Sequence, residues 1–322
     1  MTEDTSVPGD HAFTADSLYG TVAQPAYAGA ASFMRRKYTR DLAGVDVAVS
    51  GIPFDLATTN RPGTRFGPLG IRQASKQLSY GGVWPWGFDP FDRLAVIDHG
   101  DCHFDLGNTD AMLAAVEAHA TGIIEAGVSM LTFGGDHFIS LPLLRAHAKK
   151  FGPLSLVHFD AHSDTWREAA YHHGTMFFHA IGEGLIDPER SIHIGIRSDN
   201  PESHGFTILD APWVHDNGTA AVIAEIERVA GGHKAYLTFD IDCLDPSCAP
   251  GTGTPVVGGL TAHQAQSILR GLGSMDFVAM DLVEVAPIYD VGEITSLAAA
   301  ALALDYLCLR AAELPPVSAG SS

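Results

Sequence analysis

The amino-acid sequence predicts an α/β fold, layered α/β/α around a mostly parallel central sheet. Two observations predict it. Short apolar runs of strand length alternate with stretches of helix length over most of the 322 residues, the arithmetic of successive βαβ units. Three of those runs, Val128 to Phe133, Leu154 to Phe159 and Ala235 to Phe239, are followed at once by histidines and aspartates. In an open parallel sheet, ligands gather outside the carboxyl ends of the strands.

Met1 to about Arg40 is rich in Ala, Gly and Thr without sustained periodicity and reads as an irregular N-terminal arm that covers a neighbouring subunit, with residues 41–322 forming one α/β domain. The alternation then predicts strands over Val45 to Ser50 and Leu94 to Ile97, a helix around Thr109 to Ala126, and the strand Val128 to Phe133. A helix around Ile139 to Lys150, the strand Leu154 to Phe159 and the strand Ser191 to Ile196 follow. The last elements are a helix around Thr219 to Val229, the strand Ala235 to Phe239, a helix over Ala262 to Gly271, the strand Phe277 to Leu282 and a helix over Thr295 to Arg310. No internal repeat or low-complexity linker interrupts the series.

With 46% hydrophobic residues the chain can bury a large core. No uninterrupted apolar run approaches the ~18–20 residues of a membrane span, and Met1-Thr2-Glu3-Asp4 opens too acidic for a signal peptide, so a cytoplasmic location is expected. Cys102, Cys243, Cys248 and Cys308 form no Cys-x-x-Cys pair and fit reduced thiols. The net charge of −19 (19 basic against 38 acidic residues) disfavours nucleic acid as a partner and suits a cationic small molecule.

The chemistry is concentrated in three blocks: Gly134-Gly135-Asp136-His137, Asp160-Ala161-His162-Ser163-Asp164 and Asp240-Ile241-Asp242. A chain still extended as it leaves a strand points residues i, i+2 and i+4 the same way, so His137, Asp160, His162, Asp164, Asp240 and Asp242 should converge. Four carboxylates and two imidazoles suit hard or borderline divalent ions, Mn²⁺ first. Four unpaired aspartates would repel one another, whereas two divalent ions balance them. Two metals ~3.5–4 Å apart can share a water and bring its pKa from ~15.7 toward ~7. A lone Asp-x-Asp is usually a turn or a cap, and only the coordination of three blocks makes the metal reading compelling. His158, one residue earlier in register, reads as a core residue or a support for the ligands. Gly251-Thr252-Gly253-Thr254 lacks the lysine of a phosphate loop and reads as a conformationally special loop near the metals. Trp84-Pro85-Trp86 reads as packing or a subunit contact.

These strings, with the run Thr238 to Pro246 continued by Pro250 to Pro255, resemble the ureohydrolase (arginase/agmatinase) family over about Val45 to Leu309, and most of all its bacterial agmatinases. Trp84-Pro85-Trp86, His173-Gly174-Thr175-Met176-Phe177, Glu183 to Pro188 and Val283 to Pro287 add to the likeness. The resemblance implies an arginase-like fold, two Mn²⁺ per chain, a homo-oligomer (trimer or hexamer), and hydrolysis of agmatine to putrescine and urea. It implies one ion on His137, Asp160, Asp164 and Asp240, and the other on His162, Asp160, Asp240 and Asp242. It further implies that His173 moves protons and that Glu284 receives the guanidinium; chemistry then suits Asp164, a ligand with a second oxygen free, to relay the proton an amine needs to leave.

Specificity is less sharply written. Arginine-hydrolysing relatives place small polar residues after the second block, where this chain has Trp166-Arg167-Glu168-Ala169-Ala170-Tyr171-His172, which disfavours arginine. His172 stands where agmatinases often have an acidic or amide residue. Arg167 pairing with a carboxylate would favour 4-guanidinobutyrate, Glu168 taking an ammonium would favour agmatine, and Asn60 and Arg61 lie in a second substrate-facing loop. Two further alternatives are a relative that binds metal without turnover and a zinc deacylase of similar architecture. Co²⁺ and Ni²⁺ compete with Mn²⁺ as the native metal.

Overall fold

The computed structural model describes residues 10–317; the first nine residues of the expected arm, with its acidic opening at Met1 to Asp4, and the last five residues lie outside the described residues. The elements in chain order are α1 (His11–Thr14), β1 (Val47–Ile52), α2 (Gly67–Ser75), β2 (Val96–Asp101), α3 (Thr109–Glu125), β3 (Ser129–Gly134), α4 (Ser140–Phe151) and β4 (Ser155–Phe159). They continue with α5 (Met176–Gly182), β5 (Ile192–Ile196), β6 (Thr207–Asp210), α6 (Ala211–Ala230), β7 (Lys234–Asp240), α7 (Ala262–Arg270), β8 (Asp276–Val283) and α8 (Ile294–Ala311). The strands form one sheet in the order β2-β1-β3-β8-β7-β4-β5-β6, and every pair is parallel.

Strands covered on both faces need apolar residues throughout, which is why these read as continuous runs. The pleat then divides each run between two cores. Val47 and Val49, Leu131 and Phe133, Val157 and Phe159, Leu237 and Phe239, and Met280 and Leu282 pack on one face with α2, α6, α7 and α8. Ala48, Met130, Leu156, Tyr236, Ala279 and Val283 pack on the other with α3, α4 and α5. The result is the three-layer fold the alternation predicts.

Local chemistry sets the ends of the helices. Asn108 caps α3 through Ala111 N–H at 3.0 Å, and Thr261 with Gln264 forms a capping box on α7. Besides the one-turn α1 within the expected irregular arm, four elements depart from the sequence pattern. α2 contains two glycines and a proline, yet Pro68 suits a first turn. Its buried Arg72 locks it to the sheet by hydrogen bonds to Asp98 and Asp101 of 2.6–3.0 Å. α5 and β6, at seven and four residues, are too short to show a period. α6 is two helical segments, one capped by Asp210 and one following a kink at Gly218, whose φ is +77°; the helix expected from Thr219 is the second of them, and the first was not expected.

The described part of the expected arm is anchored on the chain's own sheet. Phe33 and Met34 are buried in the core, and Phe33 N–H donates to Asp98 at 2.7 Å. Among the described residues α8 alone has the length and composition to cross a membrane, and 67% of it is buried inside the protein.

Candidate metal centre and substrate cleft

Register brings the predicted residues together. Phe133, Leu282, Phe239 and Phe159 lie in one row across the four central strands β3, β8, β7 and β4, with Phe159 and Phe239 stacked at 5.0 Å. One step further toward the carboxyl edge stand Asp240 and Asp160, and the loops carrying His137 and Glu284 leave the neighbouring strands.

Beyond that row the chain is not extended, contrary to the i, i+2, i+4 expectation. Asp160 Oδ1 accepts the N–H of His162 at 2.6 Å, and Asp240 Oδ1 accepts that of Asp242 at 2.8 Å, opening a 3₁₀ turn. Each aspartate offers its backbone a local turn in place of the ladder. Asp164 and Glu284 are held at φ +53° and +62°, a region that costs a non-glycine residue energy and is concentrated at functional sites. Gly135 is obligatory: a Cβ there would meet the Phe54 carbonyl oxygen at 2.1 Å, on the side where Asp136 N–H donates to the same oxygen.

The turns aim the side chains inward all the same. His137 Nδ1 lies 3.1 Å from Asp160 Oδ2, 3.0 Å from Asp164 Oδ2 and 3.3 Å from Asp240 Oδ2. His162 Nδ1 lies 3.3 Å from Asp160 Oδ1 and 3.1 Å from Asp242 Oδ2. Two groups of potential metal-binding atoms result, His137/His158/Asp160/Asp164 and Asp160/His162/Asp242, sharing Asp160. Asp160 faces one group with each oxygen. His158, buried behind it, contacts Oδ2 through Nε2 at 2.8 Å, the supporting place expected for it.

The electrostatics are those of carboxylates crowded around too little positive charge. Burial disfavours a charged ring at His137, yet Asp160, Asp164 and Asp240 hold its pKa well above the imidazole range. Against burial, Asp242 and Asp160 push His162 up to about 12. Burial and Asp160 push Asp164 up to about 6. Burial, with Asp242 and Asp160, also raises Asp240. Asp160 runs the other way: burial is outweighed by His158, His137 and His162, and its pKa falls well below the carboxylate range.

His173 and Glu284 adjoin this cluster. Glu284 Oε1 accepts from His173 Nδ1 and from the His137 amide, both at 2.8 Å. Its other oxygen, Oε2, is buried without a partner, so a two-point planar clamp on a guanidinium is not preformed and one oxygen is free. Burial lowers and Glu284 raises the His173 pKa, which settles at about 9. His173 Nε2 accepts the Thr59 N–H at 2.9 Å, a contact only an unprotonated Nε2 can make. Protonation there must displace the Thr59 amide.

A cleft of about 350 Å³ opens beside these groups, lined by Thr59, His162, Asp164, His173, Gly174, Asp240 and Thr254 and, toward the rim, by Trp166, Glu168 and His172; Glu284 is fully buried behind His173 and does not line it. Glu168 lies 3.3 Å from His172. Arg167 does not line the cleft; it pairs with Glu202 at 2.7 Å. Asn60 and Arg61 bond the carbonyl of Gly253 at 3.2 Å, tying their loop to the glycine-rich one rather than lining the cleft. That loop is special through close approach: a Cβ on Gly253 would meet the Arg61 carbonyl at 2.9 Å. Trp84 is exposed and Trp86 donates to Asp305 at 2.8 Å, and neither belongs to the cleft.

Three supports were not expected from sequence. Asp136 takes the Ala57 and Phe138 amides at 2.9 and 3.1 Å and, pushed up to about 8 by burial and by Glu284, braces the loop. Thr238 Oγ1 contacts His137 Nε2 at 2.8 Å. Arg197 donates to the carbonyls of Asp242, Cys243, Leu244, Gly195 and Val256 at 2.6–3.3 Å and clasps the turn that carries Asp242. Only the adjacency of Asp136 to His137 was a local signal.

A family model described as the Arginase family matches residues 45–308. The chain belongs to the arginase family. An agmatinase of Chromobacterium violaceum is 56% identical over 310 residues, 95% of this chain and 96% of that protein. A hypothetical agmatinase from Burkholderia thailandensis superposes with a TM-score of 0.93 at 56% identity, over 94% of this chain and 97% of its own. Proclavaminate amidino hydrolase from Streptomyces clavuligerus does so with a TM-score of 0.84 at 38% identity, over 90% and 99%. This arginase-family chain is an agmatinase-like ureohydrolase, a metal-dependent hydrolase of guanidino compounds.

Its cluster fits such a metal. His137 Nδ1 is fully buried and makes no well-directed hydrogen bond although three carboxylate oxygens face it, which is how a ligand nitrogen stands before its ion. Since the surrounding carboxylates raise His137 and His162 above the imidazole range, metal uptake at neutral pH is expected to release protons. Affinity therefore falls as pH falls. Calorimetry in two buffers of different ionisation enthalpy counts the protons, and uptake without release contradicts this account of the cluster.

Proposed function

We propose that this chain hydrolyses agmatine to putrescine and urea with two Mn²⁺, one on His137, Asp160, Asp164 and Asp240, the other on His162, Asp160, Asp240 and Asp242. When bound, the ions supply Lewis acidity and an activated water at neutral pH. The observation that carries the substrate reading is the make-up of the cleft: among its ten described lining residues are three carboxylates, Asp164, Glu168 and Asp240, and no lysine or arginine. A guanidino acid would bring its carboxylate to a wall without a permanent cation. Agmatine brings an ammonium, for which Glu168 is the rim partner, with the Trp166 indole beside it.

The remaining steps fall to the chain's own groups. The free Oε2 of Glu284 takes a guanidinium N–H and holds the planar group in place for attack. Asp164 carries a proton toward the leaving amine, and His173, at the cleft wall between Glu284 and Thr59, replenishes it. The names of the relatives support agmatine over other guanidino compounds.

A panel of agmatine, 4-guanidinobutyrate, arginine and acetylated polyamines, read by urea or acetate release, tests the reading. Agmatine is expected to lead, and a lead for 4-guanidinobutyrate overturns the reading. Glu168 is largely exposed, so its charge is worth about 1 kcal/mol. Glu168→Gln should accordingly lower kcat/KM for agmatine about fivefold and leave Arg167→Ala, whose guanidinium faces Glu202, near wild type.

A further inference from the structure

We propose that His193 is a positioning residue for the metal centre: it donates its Nδ1–H to His158, and so fixes the one tautomer in which His158 donates to Asp160. The proposal rests on the reading of Asp160 as a ligand shared by two ions.

His158 and His193 are register partners on the parallel strands β4 and β5. Both rings are buried, at 0% and 1% exposure, and their Nδ1 atoms lie 2.5 Å apart. One proton sits between two nitrogens at that distance. His158 Nε2 is 2.8 Å from Asp160 Oδ2, an acceptor only, so this nitrogen must carry the other proton of a neutral ring. That leaves His158 Nδ1 as acceptor and His193 Nδ1–H as donor. Both rings are fully buried, where a charged imidazolium is costly, so each carries a single ring proton.

An apolar side chain would fill either strand position without the cost of burying polar nitrogens. The chain of hydrogen bonds has one polar end, the carboxylate whose Oδ2 faces His137 and whose Oδ1 faces His162. Packing restrains the rings as well: His158 lies 4.8 Å from Phe177 and His193 4.2 Å from Phe206. Without a donor at residue 193, His158 is free to move its proton to Nδ1 and turn a lone pair on Asp160. Partners of this kind beyond the ligands typically change metal affinity by ~10–100-fold when removed.

The test uses the full chain. Long-range ¹H–¹⁵N correlation of metal-free, histidine-labelled protein should place the His158 proton on Nε2 and the His193 proton on Nδ1; a His158 proton on Nδ1 in the wild type overturns the proposal whatever the variants do. Mn²⁺ is then titrated by thermal shift. His193→Leu should raise the midpoint ~10–100-fold and mix the His158 tautomers, and His193→Gln, whose amide can still donate, should recover most of the loss. Unchanged midpoint and tautomer in folded His193→Leu reject the role of His193. A wild type that takes up no Mn²⁺ rejects instead the metal reading beneath it.

Discussion

Asp160→Asn is expected to lose metal and turnover together, with urea release down on the order of 10³-fold or more, because an ion's Lewis acidity is worth several kcal/mol of barrier. Asp160 points Oδ2 at His137 and Oδ1 at His162, so one substitution weakens both ion positions. An asparagine that keeps its oxygen toward the His162 amide preserves that turn, while its NH₂ then meets the His158 ring proton, so one of the two contacts is lost. What it removes is the charge, and one oxygen becomes a donor facing a ligand nitrogen. Asp242→Asn differs, since Asp242 reaches His162 but is not in the His137 group. It should empty one position and leave about half the metal. Elemental analysis of Mn²⁺-loaded variants measures both outcomes. Asp160→Asn with wild-type stoichiometry, or a wild type holding one ion per chain, would defeat the two-ion reading.

The convergence of the six candidates was legible because each follows an apolar run that had to be a strand, and parallel strands bring their carboxyl ends to one edge. The central elements β3, β4, β7 and β8 fell within one or two residues of the expected bounds for the same reason. How the side chains meet was not legible. An extended exit from the strand is one way to align Asp160 with His162; the turn closed by the Asp160 carboxylate is another, and the sequence does not choose between them. Supports from remote segments were beyond reach. His193 is 35 residues from His158 and Arg197 is 45 from Asp242, so only strand register brings them together. Thr59 enters through a loop held by Asp55, Asp136 and Gly253, none of which carries a periodic signal. Arg167 shows the reverse error, a residue of suggestive chemistry whose nearest carboxylate, Glu202, takes it out of the cleft.

Glu284→Gln should separate binding of the guanidinium from binding of the metal. The wild-type Oε1 already accepts the His137 amide and the His173 ring proton. A glutamine keeping its carbonyl oxygen there must therefore turn its NH₂ to where the free Oε2 stood. A donor then faces the donors of the guanidinium. Losing a charge-assisted contact to a buried cation costs about 2–5 kcal/mol, so kcat/KM for agmatine should fall by a factor on the order of 30 to several thousand. Mn²⁺ content should hold, because Glu284 is not among the six proposed ligands and its Oε1 is already taken by the His137 amide and the His173 ring. A second signature follows from His173. Its pKa of about 9 is a balance in which burial lowers it and Glu284 is the leading group that raises it. Removing that charge lets burial dominate, and the pKa falls. If protonated His173 feeds the leaving amine, the alkaline limb of the kcat/KM profile moves to lower pH in Glu284→Gln. Urea release across pH on metal-loaded enzyme gives both numbers. A variant with wild-type kcat/KM removes Glu284 from the substrate site, and a reduced kcat/KM with an unmoved alkaline limb leaves Glu284 as the guanidinium partner but takes the proton supply away from His173.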